Sequence, residues 1–395
     1  MKVAGKLQRS HQDIVLASPV SVPYKRKTEQ PASYFIGTAL REMLAAAGLE
    51  KPECDGLMVS SYSLAPDTVV SLAETFDISL NWAEQVQLGG ASGIVGVRRA
   101  ARAVAAGDAE VIACIGGDTF IPDQFAGLLG RFSNFTIDGV TPYGCGGASV
   151  PFAMLTRAYM ETYAVAREDF GRLCILQRKN AQVYQQALLR ESLTMEAYLS
   201  ARPVAEPLGL FDCVMPCAGA EGVLVMQEGR AQGLGVPYVR LLASAERHNA
   251  SRGMAMPLTF GWRDFRDDLY HAASLRPEAM DIVQVYDDYP VMALLQLEEL
   301  GLCQVGQASR FLTEDSFIPQ GRVVHLNTSG GQLSAGQAGF AGGFMGLTEA
   351  VRQLTDQALG NQLAEVRNAL ISGFGMINYN RGLCAAAAII ERAEL

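Results

Sequence analysis

Histidine is scarce in this chain: four occur in 395 residues, at positions 11, 248, 271 and 325. Eight cysteines are scattered without regular spacing, at 54, 114, 145, 174, 213, 217, 303 and 384. Cys213 and Cys217 lie four apart, but no second pair and no nearby histidine completes a tetrahedral zinc set, so no metal is expected. Long apolar runs are missing as well, and none suffices to span a bilayer. Lys2, Lys6 and Arg9 precede no continuous apolar core, so they do not read as a secretory leader. Several cysteines sit in apolar runs, as buried reduced thiols do, and this points to a reducing, cytoplasmic setting. A long basic run is absent and the net charge is −9, which argues against a nucleic-acid partner. Arg98, Arg99 and Arg102 form a local basic cluster of the kind that meets a phosphate.

Glycine-rich turns are what the chain has instead. Hydrophobic residues make up 49% and charged residues 18%, a globular balance, and the length allows two full cores. The stretch from Asn327 to Gly343 carries six glycines in seventeen residues, after the apolar pair Val323-Val324 and before a helical run, Leu347 to Leu354. Glycine adds no packing energy and costs order, so its density there suits close backbone approach. A strand end, a glycine turn around Gly331 and a helix start leave backbone N–H groups free for a negative or polarised oxygen. The earlier stretch Leu88-Gly-Gly-Ala-Ser-Gly-Ile-Val-Gly96 repeats the design. A helical run from Val97 to Ala106 follows it, then an apolar strand, 111–115, closed by Gly116-Gly117. The later copy ends in a strand at 369–371 closed by Gly373 and Gly375. Such repetition indicates a duplicated unit whose two turns meet at a shared cleft.

Taken in order, residues 13–17 read as a strand, 34–47 as a helix with apolar residues at helical spacing, and 56–60 as a strand. Alternating helices and short strands indicate α/β architecture. Residues of about 120–205 break the alternation and read as an insertion over one face, with helical patterning over 148–164 and 167–186 and a proline-marked connection at 202–208. Strands follow at 220–226, 238–243 and 280–286, a helix at 291–300, and a last strand at 383–390. The halves are 1–232 and 233–395.

In their order and spacing, Gly90-Ala-Ser-Gly93, Ser200-Ala-Arg-Pro-Val-Ala-Glu-Pro-Leu208 with Phe211-Asp-Cys213, Tyr286-Asp-Asp-Tyr289, Leu297-Glu-Glu-Leu-Gly-Leu-Cys303 and Asn327 to Gly336 carry a family. Across nearly its whole length the chain resembles the thiolase superfamily, in the sterol-carrier-protein-x and non-specific lipid-transfer branch. The resemblance implies a thiolase fold: duplicated βαβαβαββ units in a five-layered αβαβα core. It also implies a homodimer, with tetramers open, acting on acyl-CoA without a bound cofactor. Members of the branch often need a small partner with a zinc ribbon and an OB-fold.

The departures from the family pattern carry the functional reading. The nucleophilic cysteine of a Cys-Ala-Ser-Gly motif falls on Gly90. The histidine before the acid of the second motif falls on Tyr286, the Gly-His-Pro histidine falls on Gln337, and Ile371 to Gly375 holds no cysteine. Covalent chemistry through a thiol is therefore excluded in the family's manner. What remains is backbone: N–H groups of Gly90, Gly373 and Gly375, where the family builds an oxyanion hole. Branch members that cleave steroid side-chain thioesters by retro-aldol chemistry use tyrosines in place of the cysteine set. One such position matches Tyr286; the other falls on Gln337. Tyr286, beside Asp287 and Asp288, is thus expected to donate a proton to an oxyanion or accept one from a hydroxyl. Gln337 would bind a substrate carbonyl or fill the histidine's space. Cys145 before a helix and Tyr379 are weaker candidates. Two functions follow: a tyrosine-assisted aldolase-type acyl-CoA enzyme, or a non-catalytic CoA-thioester-binding or scaffolding subunit.

Overall fold

The computed structural model describes residues 11–122, 127, 134–139, 141–144, 147–254, 256–378 and 381–394. Cys145 and Tyr379 lie outside them. The strands are β1 (Ile14–Lys25), β2 (Gly56–Ser60), β3 (Trp82–Gln85), β4 (Val111–Asp118), β5 (Pro203–Ala205), β6 (Leu208–Gly209), β7 (Ala218–Gln227), β8 (Tyr238–His248), β9 (Ile282–Gln284), β10 (His325–Leu326), β11 (Asn368–Asn378) and β12 (Arg381–Arg392). The helices used below are α1 (Ala32–Ala47), α2 (Val69–Phe76), α3 (Ser92–Ala106), α4 (Ser149–Tyr163), α5 (Arg167–Val183), α6 (Glu228–Leu234), α7 (Trp262–Ala273), α8 (Pro290–Glu299), α9 (Gly331–Ala335) and α10 (Gly342–Leu354).

Ten strands join in the order β10-β9-β11-β12-β8-β1-β7-β4-β2-β3. Read outwards from the short β1–β8 junction, the arms are β1-β7-β4-β2-β3 and β8-β12-β11-β9-β10. Each arm has two antiparallel pairings followed by two parallel ones. The duplication legible in the glycine turns is therefore a duplication of the sheet. Side-chain alternation then builds the layers. On β12, Ala386, Ala388 and Ile390 face a central core shared with α3, α10 and the first arm. Their neighbours Ala385, Ala387 and Ile389 face an outer core with α7 and α8. On the first arm, Ile112 and Cys114 face the centre, while Val111, Ala113 and Ile115 face α1 and α2. Helices, arm, central helices, arm and helices make the five layers that the resemblance implies.

The insertion contributes α4, α5 and the β5–β6 hairpin. Phe152, Leu155, Tyr159, Phe170 and Leu173 bury their side chains in the outer core of the second arm, so this segment caps the face above β9 and α8.

Two boundaries differ from the sequence reading for one physical reason. Gly116-Gly117 and Gly373/Gly375 were expected to end their strands, yet β4 runs to Asp118 and β11 to Asn378. Glycine weakens a strand unless something needs its missing side chain. A Cβ on Gly116 would lie 2.6 Å from the Phe344 ring, and one on Gly375 would lie 1.7 Å from the Leu88 carbonyl oxygen. These glycines admit neighbours rather than breaking strands. β9 is shorter than expected, because the chain leaves the sheet after Gln284. Two of the three clustered arginines are paired internally. Arg98 is buried and donates to the Ser244 carbonyl and hydroxyl, and Arg99 donates to Glu84.

A candidate active site at the meeting of two glycine turns

The two glycine turns touch. A Cβ on Gly93 would lie 2.3 Å from the Gly343 carbonyl oxygen, and one on Gly343 would lie 2.8 Å from the Gly90 oxygen. α3 and α10 start beside each other, and β11 passes behind: a Cβ on Gly373 would come 2.6 Å from the Gly90 oxygen. The cleft opens in front of this junction as a cavity of about 120 Å³. Its walls are mostly apolar, with Phe152, Phe340, Phe374 and Ile377, and its polar groups are Tyr62, Tyr286, Asp288 and Gln337. Among the described residues no lysine, arginine, histidine or cysteine lines it.

Tyr286 enters the cleft from the end of β9, and its backbone is clamped. Its N–H donates to Gln296 Oε1 at 3.1 Å, and its carbonyl accepts from Gln296 Nε2 at 2.6 Å. Ser372 Oγ donates to the same Gln296 Oε1 at 2.6 Å. Asn327 extends the strand pairing beside it, accepting from the Val285 N–H at 2.8 Å and donating to the Val285 carbonyl at 3.1 Å. A backbone held on both edges fixes where the ring points. The ring lies against Gly90: a Cβ there would sit 2.0, 2.2 and 2.4 Å from three of its carbons. Gly90 sits in a 3-10 turn and is not among the left-handed glycines, and the three atoms its Cβ would meet first all belong to that ring. Tyr286 fills the volume in which a side chain at 90 would stand.

Gln337 Nε2 donates to the Tyr286 phenol oxygen at 3.0 Å and to Gln332 Oε1 at 3.1 Å. Its backbone is pinned to the 215–217 segment, with its N–H on the Met215 carbonyl at 2.9 Å and its carbonyl accepting from the Cys217 N–H at 3.0 Å. With a lone pair of the phenol oxygen engaged by Gln337, the phenol is oriented as a donor. Burial, then Asp288 and Asp287, push the Tyr286 phenol well above its usual range, opposed by the Gln337 hydrogen bond. It is held as a neutral O–H.

Asp287 and Gly331 lie elsewhere than the sequence reading put them. The free N–H groups at the glycine turn have an internal acceptor. Asp287 takes hydrogen bonds from the N–H groups of Gln332 and Leu333, at 2.9 and 3.2 Å, and from Gln177 Nε2 at 2.9 Å. Gly331, with φ +60°, exists to admit that carboxylate, since a Cβ would lie 2.2 Å from its Oδ2. Both support the wall behind Tyr286 rather than face the cleft. Burial pushes the Asp287 carboxyl up to about 7, against these donors. Gly373 and Gly375 likewise lie behind the Gly90 turn rather than along the cavity. Of the sequence-derived candidates, the structure brings Gly90, Tyr286 and Gln337 together in the cleft.

Two cleft residues were not among the candidate site residues: Asp288, read only as a neighbour of Tyr286, and Tyr62. Asp288 is 9% exposed, lines the cavity, and has one oxygen on the Tyr289 N–H at 3.0 Å. Tyr62 stands on the loop after β2. The loop is tied down by Asp118, which accepts from the N–H groups of Tyr62 and Ser63 at 2.7 Å and from the Phe340 N–H at 2.7 Å. Doubled acid after a tyrosine was the available signal for Asp288; Tyr62 had none. Among the described residues no group of three His, Cys, Asp or Glu side chains is placed to hold a metal, and no helix is long and apolar enough to cross a membrane.

Comparison with known proteins places the fold. Residues 243–385 match the family model described as thiolase C-terminal domain-like. A steroid side-chain-cleaving aldolase of Thermomonospora curvata is 30% identical over 353 residues, covering 85% of this chain and 88% of that one. A 17-hydroxy-3-oxo-4-pregnene-20-carboxyl-CoA lyase of Mycobacterium tuberculosis is 29% identical over 353 residues, covering 85% and 89%. The solved structure described as an Ltp2-ChsH2(DUF35) aldolase superposes with a TM-score of 0.83 at 26% identity, over 96% of this chain and 98% of that chain.

Proposed function

The chain belongs to the thiolase superfamily, and we propose on that premise that it cleaves a carbon–carbon bond of a β-hydroxyacyl-CoA by a retro-aldol route assisted by Tyr286. One observation carries this reading: the Tyr286 ring occupies the space a side chain at 90 would need, with its hydroxyl fixed by Gln337. A thiol nucleophile is replaced there by a hydrogen-bond donor.

Retro-aldol cleavage needs no covalent enzyme intermediate. The β-hydroxyl loses its proton and becomes a carbonyl, and the Cα–Cβ bond breaks. That electron pair moves onto the thioester oxygen as an enolate, and Cα is then protonated to give a shorter acyl-CoA. The costly charge is the enolate oxygen. A neutral phenol aimed at it, with backbone N–H groups at the Gly90 turn, is the kind of preorganised donor set that lowers such a barrier. Apolar walls strengthen these bonds by excluding water. In this reading Asp287, Gly331, Gly373 and Gly375 position the donors and do not touch substrate. The relatives' printed names, an aldolase and a CoA lyase, support the reaction class. The DUF35 component named with the similar solved structure supports a small partner protein. We further propose a homodimer as the working unit, in a cytoplasmic setting.

A non-catalytic CoA-thioester-binding subunit is the second reading, favoured by the absence of any lysine, histidine or cysteine among the described cleft residues. One experiment separates the two. Acyl-CoA binding is followed by calorimetric titration, and cleavage of 3-hydroxyacyl-CoA thioesters by release of the shorter acyl-CoA. The enzyme reading expects cleavage, with Tyr286→Phe lowering kcat by at least about 100-fold, the range of one oxyanion donor, while binding persists. Binding without cleavage by the wild type, with or without a DUF35-type partner, refutes it.

A further inference from the structure

A retro-aldol enzyme needs a group that takes the β-hydroxyl proton, and Tyr286 is poorly suited to that. Gln337 already donates to its phenol oxygen, and its raised affinity for its own proton keeps it a donor. Among the described lining residues the cavity offers one carboxyl, Asp288. We propose that Asp288 is the proton-transfer residue of this site: its carboxylate takes the β-hydroxyl proton and returns the same proton to Cα of the enolate. This rests on the retro-aldol reading above.

The step balances. The O–H bond breaks as the carboxyl O–H forms, the Cα–Cβ pair moves to the enolate, and the carboxyl O–H then breaks as Cα–H forms. Aspartate ends as it began, and no oxidant or reductant is needed. Geometry permits one group to serve both ends, because the β-oxygen and Cα are both bonded to Cβ and a carboxyl reaching one is close to the other. Asp288 and Asp287 are consecutive but differently engaged. Asp287 turns inward onto two N–H groups and Gln177, which frees it from the cleft. Asp288 keeps one oxygen on the Tyr289 N–H, and the cavity-lining carboxyl has no cation among the described lining residues.

The titratable groups facing Asp288 among the described residues are the Asp287 carboxyl, the phenols of Tyr286 and Tyr289, and Tyr62 across the cavity. Burial first, then the Asp287 charge, raise the Asp288 carboxyl well above the ordinary carboxylate range. A raised pKa makes a stronger base, and it leaves the ionised form as the minor species at low pH. The cleavage rate therefore rises with pH through a pKa well above 4, and falls off on the acid side.

The test uses the whole chain with propionyl-CoA in deuterated buffer. Exchange of the Cα hydrogens is read by mass spectrometry, binding by calorimetry, and cleavage with 3-hydroxyacyl-CoA thioesters. Asp288→Asn keeps the acceptor for the Tyr289 N–H, so a merely structural role would survive it. The expected result is at least a 100-fold loss of both exchange and cleavage, with propionyl-CoA affinity within threefold and Asp288→Glu recovering part of the rate. Should Asp288→Asn fail to fold, Asp288→Ser is read in its place, and exchange and cleavage at near wild-type rates overturn the proposal. Cleavage and exchange by Asp288→Asn at near wild-type rates overturn the Asp288 assignment and leave the retro-aldol reading standing. A wild type that binds but neither cleaves nor exchanges overturns both.

Discussion

Gly90→Ala is the substitution whose cost is set most directly by the coordinates. The backbone at Gly90 is right-handed, so alanine meets no conformational penalty there. The new methyl would stand 2.0 Å from the nearest Tyr286 ring carbon. Carbon atoms rest about 3.5–4.0 Å apart, so the ring must retreat by roughly 1.5 Å, beyond what the clamped Tyr286 backbone allows by small adjustment. Overpacking of this kind costs about 1–3 kcal/mol. Dragging the phenol from Gln337 at 3.0 Å adds about 1 kcal/mol. The sum is about 2–4 kcal/mol. Unfolding entropy of about 2.1 cal/mol/K per residue over 395 residues gives about 0.8 kcal/mol/K, so Tm should fall by roughly 3–5 °C in scanning calorimetry. The decisive comparison is a double-mutant cycle with Tyr286→Ala. In that background the methyl enters space already vacated, and the coupling should exceed about 1.5 kcal/mol. A Gly90→Ala cost below about 0.5 kcal/mol, or the same cost in both backgrounds, would show that the ring does not hold the slot.

Two further predictions test the supports of Tyr286. Gln337→Leu removes the donor to the phenol with little change of volume; losing one such bond, about 1 kcal/mol, should lower kcat five- to tenfold in the cleavage assay and leave acyl-CoA affinity within threefold. Unchanged kcat would show that Tyr286 is oriented without it. Asp287→Ala leaves the buried N–H groups of Gln332 and Leu333 and the Gln177 amide without their shared acceptor; at about 1–3 kcal/mol for each unmet donor the loss should be at least about 3 kcal/mol in urea titration. A loss under about 1 kcal/mol would mean that the carboxylate does not anchor the glycine turn.

Much of the scaffold was legible because periodicity and glycine are local signals. The helix at 34–47 appeared as α1 (Ala32–Ala47) and that at 291–300 as α8 (Pro290–Glu299). Repetition of a glycine turn, helix and strand anticipated two arms with the same pairing pattern. The site was less legible because its distances are not sequence distances. Tyr286 and Gln337 are 51 residues apart and joined by one hydrogen bond, and no local rule reports that. The split between Asp287 and Asp288 was hidden for another reason. Alternation assigns consecutive residues to opposite faces only inside a strand, and β9 ends at Gln284. Beyond that point the loop alone decides which carboxyl meets the α9 N–H groups and which meets the cavity. N–H groups were expected at the glycine turn, free for an oxygen, and Asp287 takes those of Gln332 and Leu333; a sequence does not say whether such an oxygen belongs to a ligand or to the protein.

The residues at 90, 286 and 337 are physically interlocked: the Tyr286 ring fills the space beside Gly90, and Gln337 holds its hydroxyl. A cysteine at 90 would need its Cβ and Sγ where the Tyr286 ring now stands, so restoring the nucleophile alone displaces the phenol and supplies no base to activate the thiol, since Gln337 cannot take a proton near neutral pH. Reducing Tyr286 alone would open the slot and remove the donor. Tyrosine at 286 in this position leaves room only for glycine at 90, and glutamine at 337 orients the phenol as a donor, because its N–H engages the phenol oxygen and leaves the O–H for the cleft. Each residue is placed by another, and in the reading proposed above the three together present one hydrogen-bond donor to the cleft. The structure holds that tyrosine against the turn that opens α3, clamps its backbone through Gln296 and fixes its hydroxyl through Gln337, so the aldolase reading expects Gly90→Cys to displace the phenol without gaining thiolase activity in a thiolysis assay.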